Sequence, residues 1–145
     1  MFQRILVVCT GNICRSPVAE AMLRRVMPGK QLSSAGLGAL VGHGVEPTAR
    51  ELAEADGLEV ADHVARQITQ EMLQAADLIL VMSDGQRRAV ADLAPAALGK
   101  TMTLGKWLDG GKGRDIPDPY RKSREAFEQV HRLLKQATDT WATKL

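Results

Sequence analysis

The chain is poor in aromatic residues and in cysteine, with two tryptophans, two phenylalanines, one tyrosine and two cysteines among 145 residues. Five rings cannot furnish platforms on which successive bases stack, and a net charge of +2 without a long basic run offers no track for a phosphate backbone, so no nucleic acid partner is expected. Long hydrophobic runs are missing as well. No stretch approaches the ~20 apolar residues of a membrane span, and the apolar stretch behind Arg4 is shorter than the roughly 7 to 15 residues of a signal-peptide core. A cytoplasmic protein that is not membrane-embedded is expected. Cys9 and Cys14 could staple only a small piece of chain, and His43, His63 and His131 are scattered without metal-ligand spacing, so neither metal nor cofactor is expected. At 45% hydrophobic and 25% charged the composition is ordinary for a globular domain, and 145 residues suffice for one core.

Strand and helix signals alternate along the chain. Ile5 to Val8 is a short β-branched run, and Pro17 opens a helix to about Met27, with Ser16 as its N-cap. Further strands are predicted near Leu32 to Ala35, Asp77 to Met82 and Thr101 to Leu104. Helices are predicted from Pro47 to Gly57, after Thr69, from Ser83 to before Pro95, and from Ser123 to near the end. The last carries Phe127, Val130, Leu134, Ala137 and Trp141 on one face. The expected fold is α/β: a single three-layer domain, residues 1–145, with a four-stranded parallel sheet flanked by helices on both faces. Gly99-Lys100-Thr101 echoes a nucleotide-binding loop, but it precedes a strand, which makes it a turn.

Residues 9 to 16 are the most informative. Cys9 and Arg15 bracket Gly11 and Asn12, and Ser16 follows, where the first strand runs into the first helix. Amides at a helix start have no intrahelical partner, and with the macrodipole they form an anion site that suits a phosphate. A thiol attacks phosphorus as the thiolate, which inward-facing amides, Arg15 and the Ser16 hydroxyl would all favour. Arginine's planar fork can hold two phosphate oxygens and follow them as phosphorus becomes trigonal bipyramidal. Gly11 and Asn12 tolerate the positive φ that lets the loop curl. Cleavage of a phosphoester also needs a proton for the departing oxygen. Asp118, held between Pro117 and Pro119, is rigidly displayed for that task, although a plain turn aspartate is the competing reading. Asp115 is a rival acid, and Gly110, Gly111 and Gly113 lead into both as a lid or a flexible connection.

With these residues in view, the chain resembles the low-molecular-weight protein tyrosine phosphatases along its whole length. The matching segments are Cys9-Thr-Gly-Asn-Ile-Cys-Arg-Ser-Pro17, Ser34-Ala-Gly36, His63-Val-Ala-Arg-Gln67 and Asp118-Pro-Tyr120. The resemblance implies Cys9 as nucleophile, Arg15 as phosphate-binding cation and Asp118 as general acid, with a cysteinyl-phosphate intermediate and no metal. Thr10, Gly11, Asn12, Ile13, Cys14 and Ser16 would surround the phosphate, and Ser34 and His63 would support Asn12. Tyr120 is implied as one wall of the substrate slot. The opposite wall, commonly aromatic in relatives, is Leu40 here.

Leu40 in Ser34-Ala-Gly-Leu-Gly-Ala-Leu-Val-Gly42, with Ile116-Pro-Asp-Pro-Tyr-Arg-Lys-Ser123, looks like the bacterial subgroup paired with tyrosine autokinases of capsule and exopolysaccharide export. The implied partner is a phosphotyrosine protein, the phosphorylated tail of such a membrane tyrosine autokinase, and a monomer or weak oligomer is expected. The resemblance also implies that Cys14 traps oxidised Cys9 as a reversible disulfide; simple packing beneath the loop is the other reading. Arg121, Lys122 and Arg124 crowd a helix start, either drawing acidic phosphopeptides or merely solvated. Three alternatives remain in play. Thioredoxin-coupled arsenate reductases use further cysteines, and none follows Cys14. Protein arginine phosphatases of the family usually carry threonine where Ile13 stands, and a non-catalytic phosphate sensor would not need an intact Cys9, Arg15 and Asp118.

Overall fold

The computed structural model describes residues 2–145. Strand β1, Arg4–Cys9, is buried from Ile5 onward, and its uninterrupted apolar run reflects a strand covered on both faces. Ile5, Val7 and Cys9 belong to one core layer, Leu6 and Val8 to the other. Strands β2 (Gln31–Gly36), β3 (Leu78–Val81) and β4 (Thr101–Thr103) complete a sheet of order β2-β1-β3-β4. All pairings are parallel, as expected.

Helices α1 (Arg15–Val26), α2 (Pro47–Ala55) and α5 (Arg124–Lys144) contribute to one layer, while α3 (Gln70–Ala75) and α4 (Asp84–Leu93) contribute to the other. The predicted stripe of α5 is buried throughout: Phe127, Val130, Leu134, Ala137 and Trp141. The side chains of Thr69, Ser83 and Ser123 accept hydrogen bonds from Met72, Gln86 and Ala126 amides, capping α3, α4 and α5. Each cap contributes about 1 kcal/mol. Because the chain leaves β1 for β2 on one side and leaves the adjacent β3 for β4 on the other, the carboxyl ends of β1 and β3 lie at a switch point, where ligands of open α/β sheets bind.

Two expectations are corrected. Helix α1 begins at Arg15, so Ser16 already lies within it and is not its N-cap; Cys14 occupies that position without a side-chain bond. Pro17 is accommodated at the third helical position because its missing N–H falls among the four that lack an intrahelical acceptor. The glycine-rich stretch before Asp115 is not a loose connection either. It folds into 3₁₀ turns over Leu104–Trp107 and Asp109–Gly111, with Gly113 and Arg114 amides bound to Leu108 and Gly105 carbonyls and Trp141 Nε1 bound to Leu104 O at 2.7 Å. Gly110, Gly111 and Gly113 supply the positive φ of these turns. Gly99-Lys100-Thr101 closes a 3₁₀ turn into β4, as a turn should. Among the described residues no helix is long and apolar enough to cross a membrane.

Candidate active site

The loop between β1 and α1 turns five successive carbonyls outward. Cys9 O accepts from Leu37 N, Thr10 O from Gly38 N, Gly11 O from Leu40 N and Ile13 O from Glu46 N, at 2.8 to 3.0 Å. Asn12 O accepts from His63 Nε2 at 2.6 Å, which fixes the proton of that ring on Nε2. Because a trans peptide sets its N–H opposite its C=O, the amides of residues 10 to 14 face the other way. None of them meets a protein acceptor among the described residues. Five convergent donors at the start of α1 make an anion cradle, with the helix dipole behind it.

Asn12 is the pivot of the curl, with φ 57°. Its side chain is fully buried and fully used: Nδ2 donates to Ser16 Oγ (2.7 Å) and Ser34 Oγ (3.0 Å), and Oδ1 accepts from Arg66 N (3.0 Å). Ser16 Oγ, which accepts from Asn12, is also hydrogen-bonded to Cys9 Sγ at 2.9 Å and can donate its proton to the sulfur once that is a thiolate. The hydroxyl expected to serve both thiolate and helix cap therefore serves the sulfur. Close approach of the neighbouring segment depends on Gly36, where a Cβ would come within 2.5 Å of Thr10 O.

Arg15 is only 5% exposed. Its Nη1 donates to Ile116 O at 2.8 Å, its Nη2 stands 3.6 Å from the Asp118 carboxylate, and its buried Nε has no partner among the described residues. Asp118 is half exposed and accepts from the Tyr120 amide at 3.1 Å, a local turn that orients the carboxylate. The rival Asp115 instead accepts from Asp84 N at the start of α4. A cleft of about 150 Å³ opens over the cradle, lined by Cys9, Arg15, Asp118, Leu40 and Tyr120 among others. Leu40 and Tyr120, each 37% exposed, flank it.

Burial, reinforced by Cys9, Glu46 and Asp118 nearby, pushes the Cys14 thiol up to about 12, so Cys14 is a protonated, packed thiol at neutral pH. Both cysteines are free. The cluster of three cations after Tyr120 is partly spent: Arg124 pairs with Glu51 and Glu128 at 3.2 Å, and Arg121 lies over the Tyr120 ring at 5.3 Å. Three residues that sequence reasoning gave no role also bind this assembly. Arg66 Nε donates to Ser34 O, Gln67 clamps Leu37 O and Ala39 N, and Gln86 Nε2 donates to Thr10 Oγ1. Arg66 and Gln67 belong to the segment that begins at His63, so that motif was their signal; Gln86 had none.

The family model for low molecular weight phosphotyrosine protein phosphatases matches residues 4–145. The low molecular weight protein-tyrosine-phosphatase Wzb of Salmonella typhimurium is 49% identical over 145 residues, covering 100% of this chain and 95% of that one. The crystal structure of the tyrosine phosphatase Wzb from Escherichia coli K30 with sulphate superposes with a TM-score of 0.95 at 48% identity, covering 99% of both chains. Vibrio vulnificus Wzb in complex with benzylphosphonate gives 0.95 at 42% identity over 100% of both. The YwlE arginine phosphatase of Geobacillus stearothermophilus gives 0.89 at 34% identity, covering 97% of this chain and 91% of that one. The cradle, the cleft and these likenesses agree: the chain belongs to the low-molecular-weight protein-tyrosine-phosphatases, hydrolases of phosphotyrosine, in the bacterial subgroup that contains Wzb and Etp.

Proposed function

We propose that Cys9, Arg15 and Asp118 carry out phosphotyrosine hydrolysis in two in-line displacements. In the first, the Cys9 sulfur attacks phosphorus, the bond to the phenolic oxygen breaks, and Asp118 hands that oxygen its proton. In the second, a water oxygen attacks the phosphocysteine, Asp118 takes the water's proton, and the sulfur departs as thiolate. Five amides and Arg15 carry the equatorial charge in both steps, the role metal ions play in kinases. The supporting observation is the coincidence of Cys9, Arg15 and Asp118 in one cleft above a cradle of unclaimed amides.

The slot between Leu40 and Tyr120 suits an aryl group, and the substrate we favour is the phosphorylated tail of a membrane tyrosine autokinase in capsule or exopolysaccharide export. Membership of the Wzb subgroup and the Leu40 segment support this partner. We place the enzyme in the cytoplasm, as a monomer or weak oligomer, where two free cysteines persist as thiols. The arginine phosphatase alternative shares the architecture, but Ile13 stands where those enzymes usually carry threonine. Comparing turnover of phosphotyrosine and phosphoarginine peptides decides between them: preference for phosphotyrosine is expected, and preference for phosphoarginine refutes the assignment. Rapid quenching with an aryl phosphate should trap phosphate on Cys9, and a phosphoenzyme on any other residue would refute the mechanism.

A further inference from the structure

Gln86 is a buried carboxamide in the first turn of α4, 9% exposed and outside the cleft, and it is bound at both ends. Its Oε1 accepts from Met82 N at 2.8 Å, just past the end of β3, and its Nε2 donates to Thr10 Oγ1 at 3.1 Å. Thr10 is thereby gripped twice, by Gly38 on its carbonyl and by Gln86 on its side chain. The peptide between Thr10 and Gly11 is the one that presents the Gly11 amide to the cradle, so rotation of Thr10 would swing that donor away from the oxyanion.

The other side of Met82 leads to the acid. Met82 O accepts from Ile116 N at 2.8 Å, and Ile116 O in turn accepts from Arg15 Nη1 at 2.8 Å, two residues before Asp118. A single buried residue, Met82, thus shares its amide with the support of the cradle and its carbonyl with the support of the Arg15 and Asp118 segment.

Resting on the catalytic assignment above, we propose that Gln86 is a positioning residue of this phosphatase, holding the Thr10 and Gly11 peptide in its oxyanion-binding orientation from outside the cleft. It touches no substrate. It acts on the Thr10 and Gly11 peptide through the Thr10 hydroxyl, while its bond to Met82 N anchors the carboxamide itself.

A double-mutant cycle tests this on the full chain, with p-nitrophenyl phosphate as substrate and inorganic phosphate as competitive inhibitor. Gln86→Leu is expected to lower kcat/KM about 10-fold and to raise the inhibition constant for phosphate by a similar factor, as loss of one oriented donor would. Thr10→Val should show the same loss with Gln86 intact, Thr10→Ser, which keeps the hydroxyl, should recover most of what Thr10→Val loses, and the doubly substituted Gln86→Leu, Thr10→Val protein should be no worse than Thr10→Val alone. Multiplying losses in the double variant, or a Gln86→Leu protein with unchanged phosphate affinity, would overturn the proposal. Should Gln86→Leu fail to fold, the Thr10 pair still decides, since equal activity of Thr10→Val and wild type refutes it. Cys9→Ser in parallel separates this outcome from failure of the catalytic assignment: an active serine variant would overturn the latter and leave the phosphate-binding cycle readable.

Discussion

The guanidinium of Arg15 and the carboxylate of Asp118 face each other 3.6 Å apart across the cleft, the first buried and the second half exposed. In the mechanism proposed above, a phosphate held by Arg15 Nη2 displaces the Asp118 carboxylate from it, so substrate and acid compete for one cation. Arg15 Nε, buried and without a partner among the described residues, can donate to the first phosphate oxygen before Asp118 yields. The exposed acid can then turn its carboxyl to the departing oxygen while Ile116 O keeps Arg15 in place.

Replacing Cys9 by serine should abolish turnover of p-nitrophenyl phosphate, by at least about 1,000-fold, while phosphate and phosphotyrosine peptides still bind. Steady-state hydrolysis and calorimetric titration check the two halves, with and without a chelator, which should change neither.

Asp118→Ala should depress hydrolysis according to how badly the leaving group needs a proton. Phenyl phosphate is expected to lose about 100-fold and p-nitrophenyl phosphate less. A plot of log kcat against leaving-group pKa, steeper for the variant than for wild type, is the measurement.

Gly36→Ala forces a Cβ to within 2.5 Å of the Thr10 carbonyl and 3.0 Å of the Ala39 Cβ, both held by backbone structure. Relief requires the Leu37 to Leu40 segment to lift off the phosphate loop. A loss of about 1 to 3 kcal/mol in urea unfolding is expected, with a fall in kcat/KM that Ser34→Ala, which leaves the backbone contacts in place, does not match.

Acid should weaken the protein through Asp56. Burial alone would raise its pKa, but hydrogen bonds from His131, Arg25 and Lys135 outweigh that and hold it at about 2 instead of 3.8. A depressed carboxyl stabilises the fold above its unfolded pKa and ceases to do so as pH falls from about 4 to about 2. The contribution is about 2 kcal/mol at neutral pH. Asp56→Asn should be less stable than wild type by up to that amount at pH 7, and the gap should close at pH 2; urea unfolding at the two pH values measures it.

Cys14, held protonated by burial with a pKa of about 12, should resist alkylation at pH 7. Iodoacetamide followed by intact-mass measurement is expected to give one adduct per chain, on Cys9. For the same reason, once added hydrogen peroxide has oxidised Cys9 to its sulfenic acid, attack by Cys14 to form the disulfide with loss of water should speed up as pH rises, because the attacking group must be a thiolate.

Much of this was legible in the sequence because the information is local. Ile5 to Val8 announces a covered strand, and Ser83 and Ser123 announce helix starts. Cys9, Arg15 and Asp118 each carry chemistry that few other residue types supply. The illegible parts depend on chain segments distant in sequence. The Ser16 hydroxyl meets Cys9 as its place in the loop predicts, but nothing around it tells that Asn12 claims it too or that the helix starts one residue earlier, so a local capping rule adds a role it does not have. Asp115 and Asp118 look alike in composition, and only the position of α4 sends the first to the Asp84 amide and leaves the second facing Arg15. Gln86 acts over 76 residues on Thr10, a separation no motif spans.

The five outward carbonyls of the phosphate loop draw their donors from the segments around residues 37 to 40, 46 and 63. The catalytic geometry is therefore borrowed from chain that must already be in place, and loosening any lender returns peptide groups to water. Turnover should fail early during gentle denaturation, while circular dichroism still reports intact helices. In refolding it should be the last property to return, which makes enzymatic activity a sharper gauge of native order than any spectrum.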